Sequence, residues 1–174
     1  SKVTGMAKAS FEERTIGNPQ RYGEKIKVEI PTHITGIMEF ENGAVGNIIT
    51  SFDVWKSQLP RMEVYGSEGT LIVPDPNTFG GPVYINRLDK GEWMEIPLTH
   101  GFCENSRGIG LADMAYALRS GRKHRANEEL AYHVVDIING IFDSAANERH
   151  CMLSSTCERP APVPCVLLRN ALGL

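Results

Sequence analysis

Membrane-length hydrophobic runs, cysteine pairs and an excess of basic residues are all missing from this sequence of 174 residues. No run approaches the roughly 18 apolar residues of a membrane span. Its 18 basic and 21 acidic residues offer no basic face for nucleic acid. The cysteines lack C-x-x-C and zinc-site spacing; they are Cys103, Cys151, Cys157 and Cys165. These absences argue against membrane and nucleic-acid proteins, predict reduced thiols and favour a cytoplasmic location.

A phosphate-binding glycine loop is also missing. The nearest candidate is Gly108-Ile109-Gly110, where Asp113 stands in place of the third glycine and no buried strand precedes the pair. A dinucleotide fingerprint works only where its glycines let the backbone approach a pyrophosphate at the end of a parallel strand. We therefore predict that this chain binds no nicotinamide cofactor, and that the two glycines form a flexible entry to a helix.

The residues that are present predict an α+β fold, an open and mainly antiparallel sheet with helices packed on one face. Strand patterns fill the first hundred residues, and two helical patterns follow. The clearest hairpin joins residues 32–40 to residues 44–55 through Asn42-Gly43, a pair suited to a two-residue type I′ turn. In that register Phe40 opposes Val45.

Both faces of this long hairpin carry apolar side chains. A sheet with one face in water should alternate hydrophobic and polar residues. Here the expected pairs include Ile37 with Ile48 on one face, while Val45 and Ile49 lie on the other. We therefore expect helices of this chain to cover one face and a second subunit or domain to cover the other, which predicts a homo-oligomer.

Two shorter hairpins and two helices complete the pattern. The hairpins pair residues 61–65 with 70–73 and residues 83–87 with 92–96. The first helix begins near Ile109 and stops at Gly121, and the second begins at Asn127 as N-cap. The residues expected on its buried face are Leu130, Val134, Ile137, Ile138 and Ile141. We place one domain at residues 1–156 and a proline-rich tail, a linker or edge extension, at residues 157–174.

Two groups of polar residues are candidate sites. Glu129, His133 and Asp136 share one side of the second helix and could in principle hold a metal, but they border its apolar stripe, which favours hydrogen bonding beside the core. The loop of residues 98–107 is rich in hydrogen-bonding side chains and leads into a helix N-terminus. It suits a hydroxyl-rich or anionic ligand, unless it only caps the helix and its arginine only pairs with an acid.

Three motifs carry a resemblance to a known family. They are Met62-Glu63-Val64-Tyr65-Gly66-Ser67-Glu68-Gly69-Thr70-Leu71, then Leu111-Ala112-Asp113-Met114-Ala115-Tyr116-Ala117-Leu118-Arg119-Ser120-Gly121, then Glu129-Leu130-Ala131-Tyr132-His133-Val134-Val135-Asp136-Ile137. In this order they resemble the C-terminal domain of the Gfo/Idh/MocA oxidoreductases, a family named after glucose-fructose oxidoreductase and inositol dehydrogenase. The resemblance extends from about residue 2 to residue 155.

The resemblance implies an NAD(P)-dependent enzyme in which a Rossmann domain precedes a substrate-binding and assembly domain. We expect that Rossmann domain, and with it NAD or NADP, to lie outside this chain. The family's catalytic lysine usually sits in a Glu-Lys-Pro motif, whereas Glu24-Lys25 is followed here by Ile26. We therefore assign no catalytic, cofactor-binding or metal-binding residue to this chain.

Substrate contacts are the role left to the residues present. We predict that His100, Asn105 and Arg107 contact a sugar or polyol and that Trp55 forms an apolar wall for a sugar face. Two alternatives stay open. One is a non-enzymatic dimerisation or carbohydrate-binding module, and the other is a small enzyme that uses Glu129, His133 and Asp136 with a metal.

Overall fold

The computed structural model describes residues 1–99, 101–104 and 107–163. Within these ranges the chain forms short antiparallel strands and two long helices. The elements are β1 (Lys2–Lys8), β2 (Glu13–Thr15), a 3-10 helix (Pro19–Arg21), β3 (Lys25–Lys27), β4 (His33–Glu39), β5 (Val45–Ser51), β6 (Met62–Gly66), β7 (Gly69–Val73), β8 (Val83–Arg87), β9 (Trp93–Ile96), α1 (Ile109–Ser120), α2 (Glu128–Asn147) and β10 (Cys151–Met152).

These elements group into two compact units. The first unit contains residues 1–57 and 128–158 and holds the sheet β10-β1-β4-β5, the hairpin β2-β3 and helix α2. The second contains residues 58–127 and the described residues from 159 onward, and holds the sheet β6-β7-β8-β9 and helix α1. The predicted α+β class with antiparallel pairing is confirmed. The strands form three sheets, and the predicted division into residues 1–156 and a tail stays a prediction.

The register of the β4-β5 hairpin differs by one residue from the prediction. Glu39 pairs with Val45 and His33 with Ser51. The Gly43 N–H donates to the Phe40 carbonyl at 2.9 Å, and Gly43 has a φ of 84°. The loop therefore contains three residues and ends with a glycine in the left-handed region, the second common hairpin solution for this dipeptide. The two-residue turn was wrong.

The interior of the first unit forms where α2 packs on β1 and β4. Val3, Ile141 and Ser144 are buried there. A Cβ atom added to Gly5 would lie 2.6 Å from Ile141 Cγ2, and one added to Gly36 would lie 2.8 Å from Ile141 Cδ1. The absence of side chains at these two glycines is what lets the helix approach the sheet so closely.

The buried face of α2 agrees in part with the predicted one. Gly140, Ile141 and Ser144 are its buried residues. Ile141 was expected inside, and the other predicted residues are partly buried or exposed: Leu130 and Ile137 are partly buried, and Val134 and Ile138 are 46% and 48% exposed. The helix is closest to the sheet where Ile141 lies against Gly5 and Gly36.

The opposite side of the same sheet exposes four apolar side chains in the described part of the chain. Side chains alternate between faces along a strand, so Met6, Ile37 and Ile49, which are next to Gly5, Gly36 and Ile48, lie on the side away from α2. These three side chains are exposed, as is Val45 of β5 on the same side. We call the group the open face: Met6, Ile37, Val45 and Ile49. The two-sided apolar character expected from the sequence is present.

The second unit follows its sequence signals closely. Helix α1 begins at Ile109 and ends at Ser120, and Gly121 caps it with a φ of 67°, as the glycine stop signal predicts. Strand β8 has the predicted bounds, and β9 begins one residue later than expected. In the described part of the chain, neither helix has the length and hydropathy that crossing a membrane requires.

Candidate functional site

A cavity of about 490 Å³ opens in the second unit between two of its loops. One loop connects β7 to β8, and the other leads from β9 into α1. The lining residues are Asn77, Thr78, Phe79, Gly80, Gly81, Cys103, Glu104 and Arg107. The predicted substrate loop therefore contributes its described residues 103, 104 and 107 to one concave surface.

Turn chemistry shapes the first of these loops. The Asp75 carboxylate accepts the Asn77 N–H at 2.9 Å, and the Asp75 carbonyl accepts the Thr78 N–H at 2.9 Å. The Thr78 hydroxyl lies 2.7 Å from the same carbonyl. An aspartate that bonds the backbone two residues ahead is a standard turn former. This turn presents the side chains of residues 77 and 78 at the cavity.

A glycine brings the two loops together. A Cβ atom added to Gly80 would lie only 2.2 Å from the carbonyl oxygen of Cys103. Since that oxygen belongs to the backbone, a larger residue at position 80 would force the loops apart. The next residue, Gly81, has a φ of 112°, which disfavours any side chain. The shape of the cavity thus depends on Gly80 and Gly81, and no sequence motif indicates this role.

Arg107 lies on the cavity wall and bridges the two loops. Its Nη2 donates to the side-chain oxygen of Asn77 at 2.8 Å and to the backbone carbonyl of Asn77 at 3.3 Å. This partner is a neutral amide rather than the acid considered as the alternative, so the bond orients the guanidinium without neutralising its charge. A cation that is held in place at a concave surface can hydrogen-bond a ligand oxygen.

The other predicted contacts have different outcomes. His100 and Asn105 lie outside the described residues. Trp55 belongs to the first unit, is 97% exposed and is not among the lining residues of this cavity. The roles of all four predicted substrate residues stay predictions. No motif in the sequence predicted Asn77 or Thr78, although Asp75-Pro76-Asn77 is a combination of turn-forming residues.

Trp55 follows a carboxylate that is firmly held. Asp53 accepts a hydrogen bond from the Thr32 hydroxyl at 2.7 Å and forms an ion pair with Arg14. Burial alone would raise the pKa of Asp53, but the bonds from Thr32, Ser10 and Arg14 outweigh it and lower the pKa. The Asp53 carboxylate is held just beyond the end of β5, and the Trp55 side chain that follows it lies in solvent.

The suggested metal ligands on α2 make hydrogen bonds instead. Asp136 Oδ2 accepts the backbone N–H and the hydroxyl of Ser155 at 2.9 and 2.6 Å. Ser154 supplies a second N–H at 3.0 Å. The bonds from Ser155, then those from Ser154, lower the pKa of Asp136 despite partial burial. His133 Nδ1 lies 2.8 Å from the Ser155 hydroxyl.

Because the single Ser155 proton goes to Asp136, His133 Nδ1 carries the proton of their shared bond. Among the described residues no group of three or more histidine, cysteine, aspartate or glutamate side chains is arranged to hold a metal. His133 and Asp136 make hydrogen bonds with Ser155, as expected for polar residues beside the core.

Comparison with known proteins agrees with the sequence motifs. Residues 1–72 match a family model described as GFO/IDH/MocA C-terminal domain. No similar sequence is found among curated proteins. A levoglucosan dehydrogenase solved in complex with NADH and L-sorbose shares the fold, with a TM-score of 0.67 and 20% identity over 89% of this chain and 46% of that one.

Two further solved structures have the same fold. An aldose-aldose oxidoreductase from Caulobacter crescentus, complexed with glycerol, has a TM-score of 0.63 and 16% identity over 87% of this chain and 41% of that one. An NAD binding oxidoreductase from Klebsiella pneumoniae has a TM-score of 0.66 and 20% identity over 89% of this chain and 46% of that one. This chain thus spans less than half the length of these structures. Its first 72 residues are similar to the C-terminal domain of the Gfo/Idh/MocA oxidoreductases, and the chain shares the fold of these solved oxidoreductases.

Proposed function

We propose that this chain is the substrate-binding and assembly domain of an NAD(P)-dependent oxidoreductase that acts on a sugar or polyol. The observation that carries the proposal is the family match over residues 1–72. Support comes from the fold shared with a levoglucosan dehydrogenase bound to NADH and L-sorbose. In this proposal the chain has no dehydrogenase activity by itself and works with a Rossmann domain.

The division of labour follows from what the residues can hold. In the Rossmann domain the nicotinamide would exchange a hydride with a carbinol carbon of the substrate. Gly108 and Gly110 do not fit that cofactor, because Gly108 precedes α1 directly and the described residues 101–104 and 107–108 form no strand. A pyrophosphate cradle needs a strand leading into the glycine turn. The residues of this chain are left to bind and orient the substrate.

The cavity has the chemistry that a hydroxylated substrate requires. Arg107 and the Asn77 amide supply N–H donors, and the Glu104 carboxylate supplies an acceptor. The Thr78 hydroxyl, whose proton is directed at the backbone carbonyls of Asp75 and Gly80, can accept a hydrogen bond, and the Phe79 ring adds an apolar wall. Ligand sites are typically concave surfaces with a few placed polar groups. We assign substrate contacts of this chain to this cavity, while the roles predicted for His100, Asn105 and Trp55 stay separate predictions.

Assembly would use the open face. Its four side chains, Met6, Ile37, Val45 and Ile49, form an apolar group on the side of the sheet away from α2. An exposed apolar patch on an otherwise charged chain favours association, and a second copy with the same patch gives a symmetric interface. We propose a homo-oligomer in which these sheet faces meet.

Replacing Arg107 in the intact enzyme tests the substrate role. Arg107→Ala removes a donor from the cavity wall and should lower kcat/KM about tenfold or more, equivalent to about 1.4 kcal/mol. Arg87→Ala is the matched control, because Arg87 forms an ion pair with Asp89 in the turn after β8 and should leave the kinetics unchanged.

Unchanged kinetics in the Arg107 variant, or an equal loss in the control, would contradict the assignment. A loss of stability with normal kcat/KM would make Arg107 a structural bridge between loops. Titration calorimetry of this chain with NADH tests the division of labour separately. We expect no complex, and a stoichiometric complex of micromolar affinity would overturn it.

A further inference from the structure

A second cluster of polar residues lies at the end of α1, and none of its residues lines the cavity. The Asp113 carboxylate accepts Arg122 Nη2 at 2.7 Å and the backbone N–H of Arg125 at 2.7 Å, and it forms an ion pair with Arg125 Nη1. The Asp113 side chain is only 13% exposed. Two cations and one backbone N–H therefore converge on one carboxylate, which fixes the position and plane of the Arg125 guanidinium.

The other edges of that guanidinium hold the proline-rich segment. Arg125 Nε donates to the carbonyl of Ala161 at 2.8 Å, and Nη2 donates to the carbonyl of Pro162 at 3.1 Å. All three nitrogens of the guanidinium therefore bond, one to the carboxylate and two to consecutive backbone carbonyls. Such a fork is specific for the direction and shape of a backbone and needs no side chain from the bound segment.

Proline suits the bound segment for two physical reasons. Its ring fixes φ near −65°, so a run in which every second residue is proline is already extended and loses little entropy on binding. It also has no N–H, so Pro160 and Pro162 cannot join a sheet as donors, while their neighbouring carbonyls stay available as acceptors. Extended proline-containing peptides are recognised elsewhere by this preformed shape.

We infer that Asp113, Arg122 and Arg125 form a binding site for an extended, proline-containing backbone, which we call the tail clasp. Its occupant is the chain's own segment at residues 160–163, bound in cis. The segment is then a docked strap rather than the free linker that its composition suggests. The clasp is independent of the proposed enzymatic role, because none of its three residues lines the cavity.

Backbone order at Ala161 and Val163, the two residues of the strap with N–H groups, is the direct test. NMR relaxation of the full chain should give order parameters near about 0.85 at both amides, the value of rigid backbone. Arg125→Ala should lower both below about 0.6, the range of flexible backbone. Arg87→Ala is the matched control, because Arg87 lies in the same unit but forms its ion pair with Asp89 and is not part of the clasp. It should leave both amides ordered.

Arg125→Lys separates charge from geometry. A lysine keeps the positive charge but has no planar fork, so we expect the strap to lose order in this variant as well. Amide spectra outside residues 113–126 and 159–163 should remain those of the wild type, which shows that the variants fold. An ordered strap in Arg125→Ala, or a strap already flexible in the wild type, would overturn the inference. Loss of order on tenfold dilution of the wild type would overturn binding in cis, since it would show that a second copy supplies the strap.

Discussion

Within each of the two units of this chain, a different kind of contact holds the segments in place. In the first unit a helix lies against glycines of a sheet, and Val3 and Ile141 are excluded from solvent. In the second unit the described features that shape the surface are polar: Arg107 on Asn77, and Asp113 between two arginines. Close packing depends on shape at short range, whereas charged contacts depend on direction, protonation and salt.

The packed contacts of the first unit stabilise the fold. The polar contacts of the second unit are the ones that a ligand or the tail can use. The packed contacts of Val3 and Ile141 in the first unit are apolar, so they contribute stability and hold the helix on the sheet. The polar contacts of the second unit keep charged groups near the surface, where they can exchange one partner for another. Substitutions in the two units should therefore fail in different ways.

The largest expected effect is the loss of packing in the first unit. Ile141→Ala should lower the free energy of unfolding by about 2 to 5 kcal/mol, because a side chain that is 4% exposed leaves a cavity between helix and sheet. Ile138→Ala is the control on the same helix at 48% exposure and should cost much less. Urea denaturation of both variants measures the difference. Equal losses of unfolding free energy in the two variants would mean that both side chains are buried, as the periodicity of the helix predicts.

A smaller effect is expected for assembly through the open face. Ile49→Lys places a charge at a position that is 61% exposed in this chain, and burying that charge in an interface is costly. The dissociation constant of the oligomer should rise at least tenfold, about 1.4 kcal/mol, as measured by light scattering across a dilution series. Leu88→Lys, 86% exposed in the second unit, should leave assembly unchanged. A wild-type chain that is monomeric at every concentration would refute the proposed interface.

The smallest effect is a dependence of stability on pH. Hydrogen bonds from Ser155 and Ser154 lower the pKa of Asp136 below its ordinary value of 3.8. The unfolded chain therefore binds more protons in acid, so this contribution is complete above pH 3.8 and disappears as the pH falls through the folded pKa. Asp136→Asn should flatten the decline of the unfolding free energy between about pH 5 and pH 2. Asp143→Asn on the same helix is the control, and equal slopes in wild type and Asp136→Asn would exclude the contribution.

Asp113 in the second unit responds in the same direction for a different reason. Burial alone would raise its pKa, but the hydrogen bonds from Arg122 and Arg125 and their positive charges outweigh it and lower the pKa. The tail clasp should therefore weaken when Asp113 is protonated in acid. The two carboxylates differ in partner, because neutral serines hold the first and cations hold the second. Added salt should accordingly weaken the contacts of Asp113 more than those of Asp136.

The sequence predicts local structure best where one residue sets the backbone. Gly121 predicted the end of α1 correctly. The strand pattern of residues 83–87 also predicted the bounds of β8. Asn42-Gly43 also marked its turn, but the pair fits a two-residue and a three-residue loop, and these differ by one in register. Choosing between them requires the pairing of β4 with β1 and its approach to Ile141 of α2, which a local pattern does not contain.

The candidate site is less predictable because it is formed by distant segments. The helix-entry loop identified Arg107, while Asn77 comes from a turn thirty residues earlier in the chain. Only the approach of Gly80 to Cys103 brings those loops together. In the same way, the periodicity of α2 predicted that Ile141 is buried but not that it lies against Gly5 and Gly36 of the sheet. Each of these contacts depends on two segments, and a motif describes only one.

The hydroxyl of Ser144 has a consequence for how the chain avoids aggregation. Strand β10 pairs with only Lys2 and Val3 of β1. The rest of β1 therefore lies at an edge of the sheet formed by the described strands. Edge strands offer unpaired N–H groups to any other extended chain. Ser144 on α2 accepts the Gly5 N–H at 3.1 Å, and so a helix occupies one of the backbone positions where a foreign strand would begin to pair.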